Sequence, residues 1–221
     1  MSNTSLILGE SGTGKSTSIR NLNPKETFII NVLNKPLPFK GYKANYTRVS
    51  PDGLTGNYFS SLNYDHIILV LKKINAIRPE IKTIVLDDFQ YLMCDEFMEK
   101  ALIKGYDKFS EISQNAYNLL KMLPLLRDDL DIFILTHSEM DERGKMKMKT
   151  VGKMIDSHLV PEGMYFMVLQ TDLSDDNYYF ITQGSQRHIA KSPMGMFEER
   201  TIPNDLAFVK NKMSEYFGAT A

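Results

Sequence analysis

A glycine-rich segment that follows an apolar run, LILGESGTGKSTSIR at residues 6–20, constrains the fold of this chain more than any other feature. Glycines allow the backbone to turn sharply at the end of a strand, and the residues after them have the pattern of a helix start. Residues 4–8 are therefore predicted to form a buried strand, and residues 15–22 the helix that follows. A strand, a tight loop and a helix in this order begin an α/β sheet.

The loop matches the pattern G-x-x-x-x-G-K-[ST], which binds the phosphates of a nucleotide. Its backbone N–H groups surround the β-phosphate, Lys15 reaches the β- and γ-phosphates, and Ser16 supplies an oxygen ligand to Mg²⁺. Thr17 is expected near the α-phosphate. The predicted nucleotide-binding residues are Gly9, Glu10, Ser11, Gly12, Thr13, Gly14, Lys15, Ser16 and Thr17.

Strand and helix patterns alternate through the first 139 residues. The segments at 27–33, 82–89 and 131–139 are predicted strands because they are rich in β-branched and aromatic residues. Apolar residues at helical spacing predict one helix over 64–77 and a longer one from Phe109, which Pro124 is expected to kink.

The pattern changes at about residue 140, where polar and apolar residues alternate in KMKMK, MYFMVLQTDL and NYYFITQG. This period of two predicts antiparallel hairpins at one edge of a mostly parallel central sheet flanked by helices. A final helix is predicted with Asn204 or Asp205 as its N-cap. We predict one α/β domain over 1–221, with a nucleotide-binding core at 1–139 and a hairpin extension with a C-terminal helix at 140–221.

Two aspartates end the predicted strand TIVLDD, and a phosphate-loop protein needs a carboxylate there for its magnesium shell. Asp87 is the predicted metal ligand together with Ser16. Asp88 could orient or deprotonate the attacking water, and Glu10 is a second candidate for this base. A solvated strand-end acid is the alternative interpretation, above all for Asp88.

The end of the fourth predicted strand places Thr136 and His137 opposite the γ-phosphate, where they could sense its presence. A histidine at a strand end is more often a structural residue, so Thr136 is the stronger candidate. The chain lacks the N-K-x-D motif that reads guanine, since Asn34-Lys35-Pro36-Leu37 has no aspartate and comes too early. ATP is therefore the expected nucleotide.

The segment RGKMKMKTVGK at 143–153 carries five basic side chains and no acidic one. As a strand it would place lysines about 7 Å apart on one face, a spacing that suits a phosphate backbone. Methionines on the other face would suit base contacts or a subunit seam. The predicted DNA-binding residues are Arg143, Lys145, Lys147, Lys149 and Lys153, and a solvated charged hairpin is the alternative.

Composition sets the remaining expectations. The net charge of −1 gives no general affinity for nucleic acid, and the one cysteine, Cys94, forms no intrachain disulfide. No apolar stretch approaches the length of a membrane span, so a cytoplasmic protein without membrane contact is expected.

Several segments in order, among them GESGTGKS, IVLDDFQYLM, ILTHSE and KTVGKMIDSHLVPEG, resemble the phage-encoded RecA-core ATPases that are linked to single-strand annealing and homologous recombination. The similarity covers most of the chain. It implies a RecA-like phosphate-loop core, Mg²⁺ and ATP, and a homo-oligomer with shared active sites in the host cytoplasm. Single-stranded DNA and a single-strand-binding protein are the implied partners.

The order of these segments leaves two functions open. In one, the chain is a DNA-stimulated recombination ATPase, and Arg187 or Lys191 presents a cation to the γ-phosphate of a neighbouring subunit. In the other, it is a nucleotide-switched loading factor whose basic hairpin binds a protein. RecA-type proteins usually carry a glutamate base after the second strand, and INVLNK lacks one, so slow hydrolysis is expected.

Overall fold

A computed structural model describes residues 1–151 and 159–218. Within these residues the chain builds one sheet of nine strands. The strands are β1 (Asn3–Gly9), β2 (Thr27–Asn31), β3 (Tyr58–Phe59), β4 (Thr83–Asp87), β5 (Asp131–Met140), β6 (Met146–Met148), β7 (Met167–Ser174), β8 (Asn177–Ile181) and β9 (Thr201–Pro203).

Helices cover both faces of this sheet. The α-helices are α1 (Tyr42–Asn45), α2 (Tyr64–Ile77), α3 (Gln90–Glu99), α4 (Asp107–Met122) and α5 (Leu206–Tyr216). Short 3₁₀ helices occupy Ser16–Asn21, Leu123–Leu125 and Pro161–Met164. The predicted helix at 15–22 is thus a 3₁₀ helix, and Pro124 converts the end of the long helix into a 3₁₀ turn because proline lacks the N–H that an α-helix needs.

The strand order is β3-β2-β4-β5-β1-β7-β8-β9, and the first six of these strands run parallel. β5 separates the strand that precedes the glycine-rich loop, β1, from the strand that ends in the two aspartates, β4. The predicted fold class, a mostly parallel α/β sheet with antiparallel C-terminal strands, is confirmed.

Side chains of alternate residues in the central strands pack into two apolar clusters, one on each face of the sheet. On one face, Leu6 and Leu8 of β1 pack in the cluster that α2, α3 and α4 cover. On the other, Ile7 packs in the cluster beneath the first 3₁₀ helix and α5. The glycine-rich loop begins at the carboxyl end of β1, and the 3₁₀ helix that follows it packs on the second face of the sheet.

The hairpin prediction for the C-terminal region is correct for β7 and β8, which pair in an antiparallel manner around a two-residue turn. Asp175 and Asp176 both have positive φ, as such a turn requires. However, β7 is not an added edge strand, because it pairs in parallel with β1. The buried run Met167–Gln170 fits an interior position.

The basic hairpin also differs from its predicted position. β5 pairs with β1 as far as His137, and β6 pairs with the next residues of β5, 138–140. The basic hairpin therefore lies beyond the carboxyl end of β1 and is not an added strand along a sheet edge. Met146 and Met148 are buried, which makes them core residues and corrects their interpretation as base or subunit contacts. Lys147 between them is partly exposed and the flanking Lys145 and Lys149 are exposed, as the period of two predicts.

No helix in the described parts of the chain is long and apolar enough to cross a membrane.

The N-cap of α5 gives a test of the fold. The Asp205 side chain accepts hydrogen bonds from the backbone N–H groups of Ala207 and Phe208, and a further one from Asn21. Asp205→Ala should lower the free energy of unfolding by about 1 kcal/mol, because these donors lose their acceptor. Urea unfolding would measure the loss. Asp205→Ser should restore most of it, and an Ala variant as stable as the parent would contradict this role.

Candidate nucleotide-binding site

Five parallel strands bring a polar or small residue to the same edge of the sheet. These residues are Gly9 of β1, Asn31 of β2, Asp87 of β4, Thr136 of β5 and Gln170 of β7. The strand register places Asn31 beside Asp87, and places Thr136 and Gln170 on either side of Leu8. Because the strands are parallel, segments far apart in sequence converge on the glycine-rich loop.

Two glycines of the loop adopt a backbone conformation that other residues rarely take. Gly12 has φ +81° and Gly14 has φ +92°. A third, Gly9, lies against Thr171, whose Oγ1 is 1.8 Å from where a Cβ would be. The Thr171 hydroxyl is also 2.5 Å from that of Thr13, so β7 supports the loop from the side.

Lys15 folds back over the loop. Its Nζ donates to the carbonyl oxygens of Gly9 and Glu10, at 2.8 and 2.7 Å, and its side chain is buried. Burial lowers the pKa of Lys15 to about 8, although the nearby Asp87 and Asp88 oppose the shift. Bound phosphate oxygens would replace the two carbonyls as acceptors for this ammonium group.

Asp87 is fully buried at the end of β4, and neither carboxylate oxygen has a hydrogen-bond partner among the described residues. Burial and the charge of Asp88 raise the pKa of Asp87 above its ordinary value, while the nearby Ser16 hydroxyl, Lys35 and Lys15 oppose the shift. An unpartnered buried carboxylate costs free energy, which is the condition that a bound cation relieves.

Asp88 follows in the left-handed region, with φ +65°, and is also buried. Its Oδ2 lies 2.6 Å from Nζ of Lys35, which belongs to the loop after β2. His137 Nε2 lies 3.9 Å from the other oxygen. The alternative base, Glu10, is exposed, and its backbone carbonyl is what contacts Lys15. Both remain predictions as bases.

The two predicted sensors lie at the edge as expected from their position in β5. Thr136 is fully buried, and its hydroxyl has no partner among the described residues. His137 packs edge-on against Tyr91, with ring centroids 5.8 Å apart. Burial and the charge of Lys15 lower the pKa of His137 to about 4, so this imidazole is neutral at pH 7 and supplies no cation.

Four further residues at the loop had no signal strong enough to single them out in the sequence. Lys35 and Asn31 flank the two aspartates, and the Asn31 amide donates to the Lys35 carbonyl at 2.8 Å. Tyr178 and the buried Asn204 lie against Gly14, at 2.9 and 3.2 Å from the position of a Cβ. Position at a strand end could have identified Asn31. Lys35, Tyr178 and Asn204 reach the site through tertiary structure alone.

The residues present fit Mg²⁺ and a nucleotide triphosphate. Asp87 and Ser16 provide the oxygen ligands that Mg²⁺ prefers, and Mg²⁺ usually takes one or two protein ligands plus substrate phosphates and water. The described residues contain no cluster of three or more histidine, cysteine or acidic side chains that could hold a metal ion. When bound, the ion would neutralise charge on the phosphate oxygens.

The two predicted trans cations, Lys191 and Arg187, lie outside the glycine-rich loop. The backbone of Lys191 pairs with that of Val168 in β7, and the Lys191 side chain is exposed. Val168 precedes Gln170 by two residues, which is about 7 Å along the strand. Arg187 is exposed, and its carbonyl accepts from Met146 of the basic hairpin. Lys153 lies outside the described residues.

No model of a known protein family matches the chain, and no curated protein matches it in sequence. Among solved structures, it is similar to a KaiC-like protein from the hyperthermophilic archaeon Pyrococcus horikoshii OT3. The two share 14% sequence identity with a TM-score of 0.41, over 81% of this chain and 77% of that protein. Because this similarity is low, the site is assigned from its own residues and not from the neighbour.

Asp87→Asn should stabilise the nucleotide-free protein at pH 7 by about 1 kcal/mol, or roughly 2–4 °C in Tm for a chain of this size, because it removes a buried charge. The folded pKa of Asp87 lies above the unfolded value of about 3.9. The parent therefore loses stability as pH rises from the unfolded pKa to the folded pKa of Asp87. The difference in free energy of unfolding between parent and variant is largest above the folded pKa. Thermal melting across pH measures this.

The matched control is Asp128→Asn, which removes an exposed carboxylate of the same type. If both variants melt like the parent at pH 7 and at pH 4, the buried charge of Asp87 does not destabilise the fold.

Proposed function

We propose that this chain is a magnesium-dependent ATPase of the phosphate-loop class that acts in phage DNA recombination or single-strand annealing and binds single-stranded DNA as an oligomer. The assignment of a nucleotide-binding site rests on the fully buried Asp87 carboxylate, which has no hydrogen-bond partner among the described residues. This carboxylate lies near Lys15 and Ser16 of the glycine-rich loop. The recombination part rests on the sequence resemblance to phage-encoded RecA-core ATPases.

Slow hydrolysis fits the arrangement around the two aspartates. The end of β2, where RecA-type proteins usually carry a glutamate base, holds Asn31, and a neutral amide accepts no proton from water. Asp88 is the remaining acidic candidate at this edge, and Lys35 lies 2.6 Å from it. While this pair is intact, Lys35 occupies one Asp88 oxygen, so the carboxylate has to be released before it can act on water.

The position of the basic hairpin supports a link between nucleotide and DNA. β5 carries Thr136 at the nucleotide site and continues without interruption into residues 138–140, which pair with β6. The backbone N–H of Lys149 donates to the carbonyl of His137 at 2.8 Å. A ligand on the outward-facing lysines would therefore bind a segment that is hydrogen-bonded to the strand that carries Thr136.

Arg187 and Lys191 are exposed, and in this proposal they serve a neighbouring subunit of a homo-oligomer. A single-strand-binding protein in the host cytoplasm is the further partner that the resemblance suggests.

A second candidate function is a nucleotide-switched loading factor whose hairpin binds a protein. The observation in its favour is that acids interrupt the basic face. Lys147 lies 3.2 Å from Glu139, and the Asp141 carboxylate accepts from the backbone of Arg143 and Lys145 in the turn. Mixed charge suits a protein surface better than a phosphate backbone.

Isothermal titration calorimetry with Mg²⁺ and ATP tests the nucleotide assignment. The parent should bind, and Lys15→Ala should lose at least about tenfold in affinity, because a charge-assisted contact to the phosphates disappears. Asp87→Asn should bind ATP with an affinity that no longer increases with Mg²⁺. Lys25→Ala and Asp128→Asn remove exposed charges of the same types and should bind like the parent. Parent-like binding by both site variants would refute the assignment.

A salt series decides between the two functions. If Lys145, Lys147 and Lys149 each neutralise a DNA phosphate, their joint replacement by alanine should flatten the slope of log affinity against log salt by roughly two units. The loss should be alike for every DNA sequence, since phosphate contacts carry no base information. Fluorescence anisotropy of a labelled single-stranded oligonucleotide with ATP present measures the slope.

The control for this series replaces three exposed lysines elsewhere, Lys25, Lys72 and Lys104, and should leave the slope near that of the parent. Should the hairpin variant also keep the parent slope and affinity, the DNA-binding role of the hairpin is wrong and the loading-factor function is favoured.

A further inference from the structure

Lys35 brings a second cation to the phosphate-binding edge, and neither the loop motif nor the predicted trans residues account for it. Its Nζ lies 2.6 Å from Oδ2 of Asp88, while its side chain keeps 46% of its surface exposed. The charge of Lys35 also acts on Lys15, Asp87 and His137, so it belongs electrostatically to the site.

The backbone on both sides of this ion pair is fixed. Asn34 takes a left-handed conformation with φ +54°, and the Asn31 amide holds the Lys35 carbonyl at 2.8 Å. Asp88 is also left-handed, is 1% exposed, and its carbonyl accepts from the backbone of Tyr91. The part that is free to move is therefore the half-exposed aliphatic stem of Lys35 and not the carboxylate.

The pair is close, and the ammonium group stays charged because the Asp88 carboxylate raises the pKa of Lys35 despite partial burial. An ammonium group has three donors, so Lys35 can also donate to another acceptor that comes within reach. A terminal phosphate held by Lys15 at the same edge would carry more negative charge than a carboxylate and would compete for this cation.

We propose that Lys35 senses the γ-phosphate in cis, pairing with Asp88 in the absence of a third phosphate and moving to the γ-phosphate oxygens of bound ATP. This inference rests on the proposed nucleotide-binding function. The exchange releases the Asp88 carboxylate only when ATP is bound. With ADP, Lys35 stays on Asp88, because leaving that buried charge unpaired is costly.

Calorimetric titration with a non-hydrolysable ATP analogue and with ADP, each with Mg²⁺, tests the proposal without depending on turnover. Lys35→Met keeps the length of the side chain and removes its charge. The variant should lose about tenfold or more in affinity for the analogue and less than threefold for ADP, because only the former offers a γ-phosphate. Lys35→Arg should restore the parent's ratio of the two affinities.

Lys40→Met, an exposed lysine of the same loop, is the matched control and should leave the ratio unchanged. If Lys35→Met and the parent have the same ratio, Lys35 is not a γ-phosphate sensor, although the nucleotide site stands. If the parent itself binds neither nucleotide, the proposed function and the sensor both fail. Should Lys35→Met not fold, the ratio is taken from Lys35→Gln, where the same tenfold loss is expected and parent-like selectivity would overturn the proposal.

Discussion

The arrangement around the nucleotide site depends on a buried negative charge. Asp87 has no exposed surface and no hydrogen-bond partner among the described residues, in an environment where an isolated carboxylate is costly. The surrounding residues place cations near it without completing a pair, since Lys15 donates to backbone carbonyls and Lys35 lies against Asp88. The fold thus keeps an unfavourable charge in place that a divalent cation and phosphates would balance.

Much of the fold could be predicted because the central strands are short apolar runs bounded by clear turn signals. α2 begins and ends at the predicted residues, and Asp205 is one of the two N-cap candidates that the sequence suggested. The parallel pairing of β7 could not be predicted. Its alternating pattern resembles that of a half-exposed hairpin strand, and only tertiary packing places it beside β1.

The site shows the same division between local and non-local signals. The glycine-rich loop and Asp87 carry local motifs, so they could be identified from the sequence. Lys35 has no motif of its own and becomes visible only when β2 and β4 lie side by side. The alternation predicted for the basic segment is present, but Met146 and Met148 are buried in the core and are not base or subunit contacts. DNA binding by its lysines remains a prediction.

β5 has a mechanical consequence beyond its place in the sheet. Its ten residues form one uninterrupted strand whose first part lies between β1 and β4 and whose last part carries the antiparallel partner β6. The proposed nucleotide site and the partner strand of the basic hairpin thus lie along one strand with no break between them. A displacement of β5 at Thr136 would therefore also move the basic hairpin. The stiffness of the sheet would limit how far the hairpin moves.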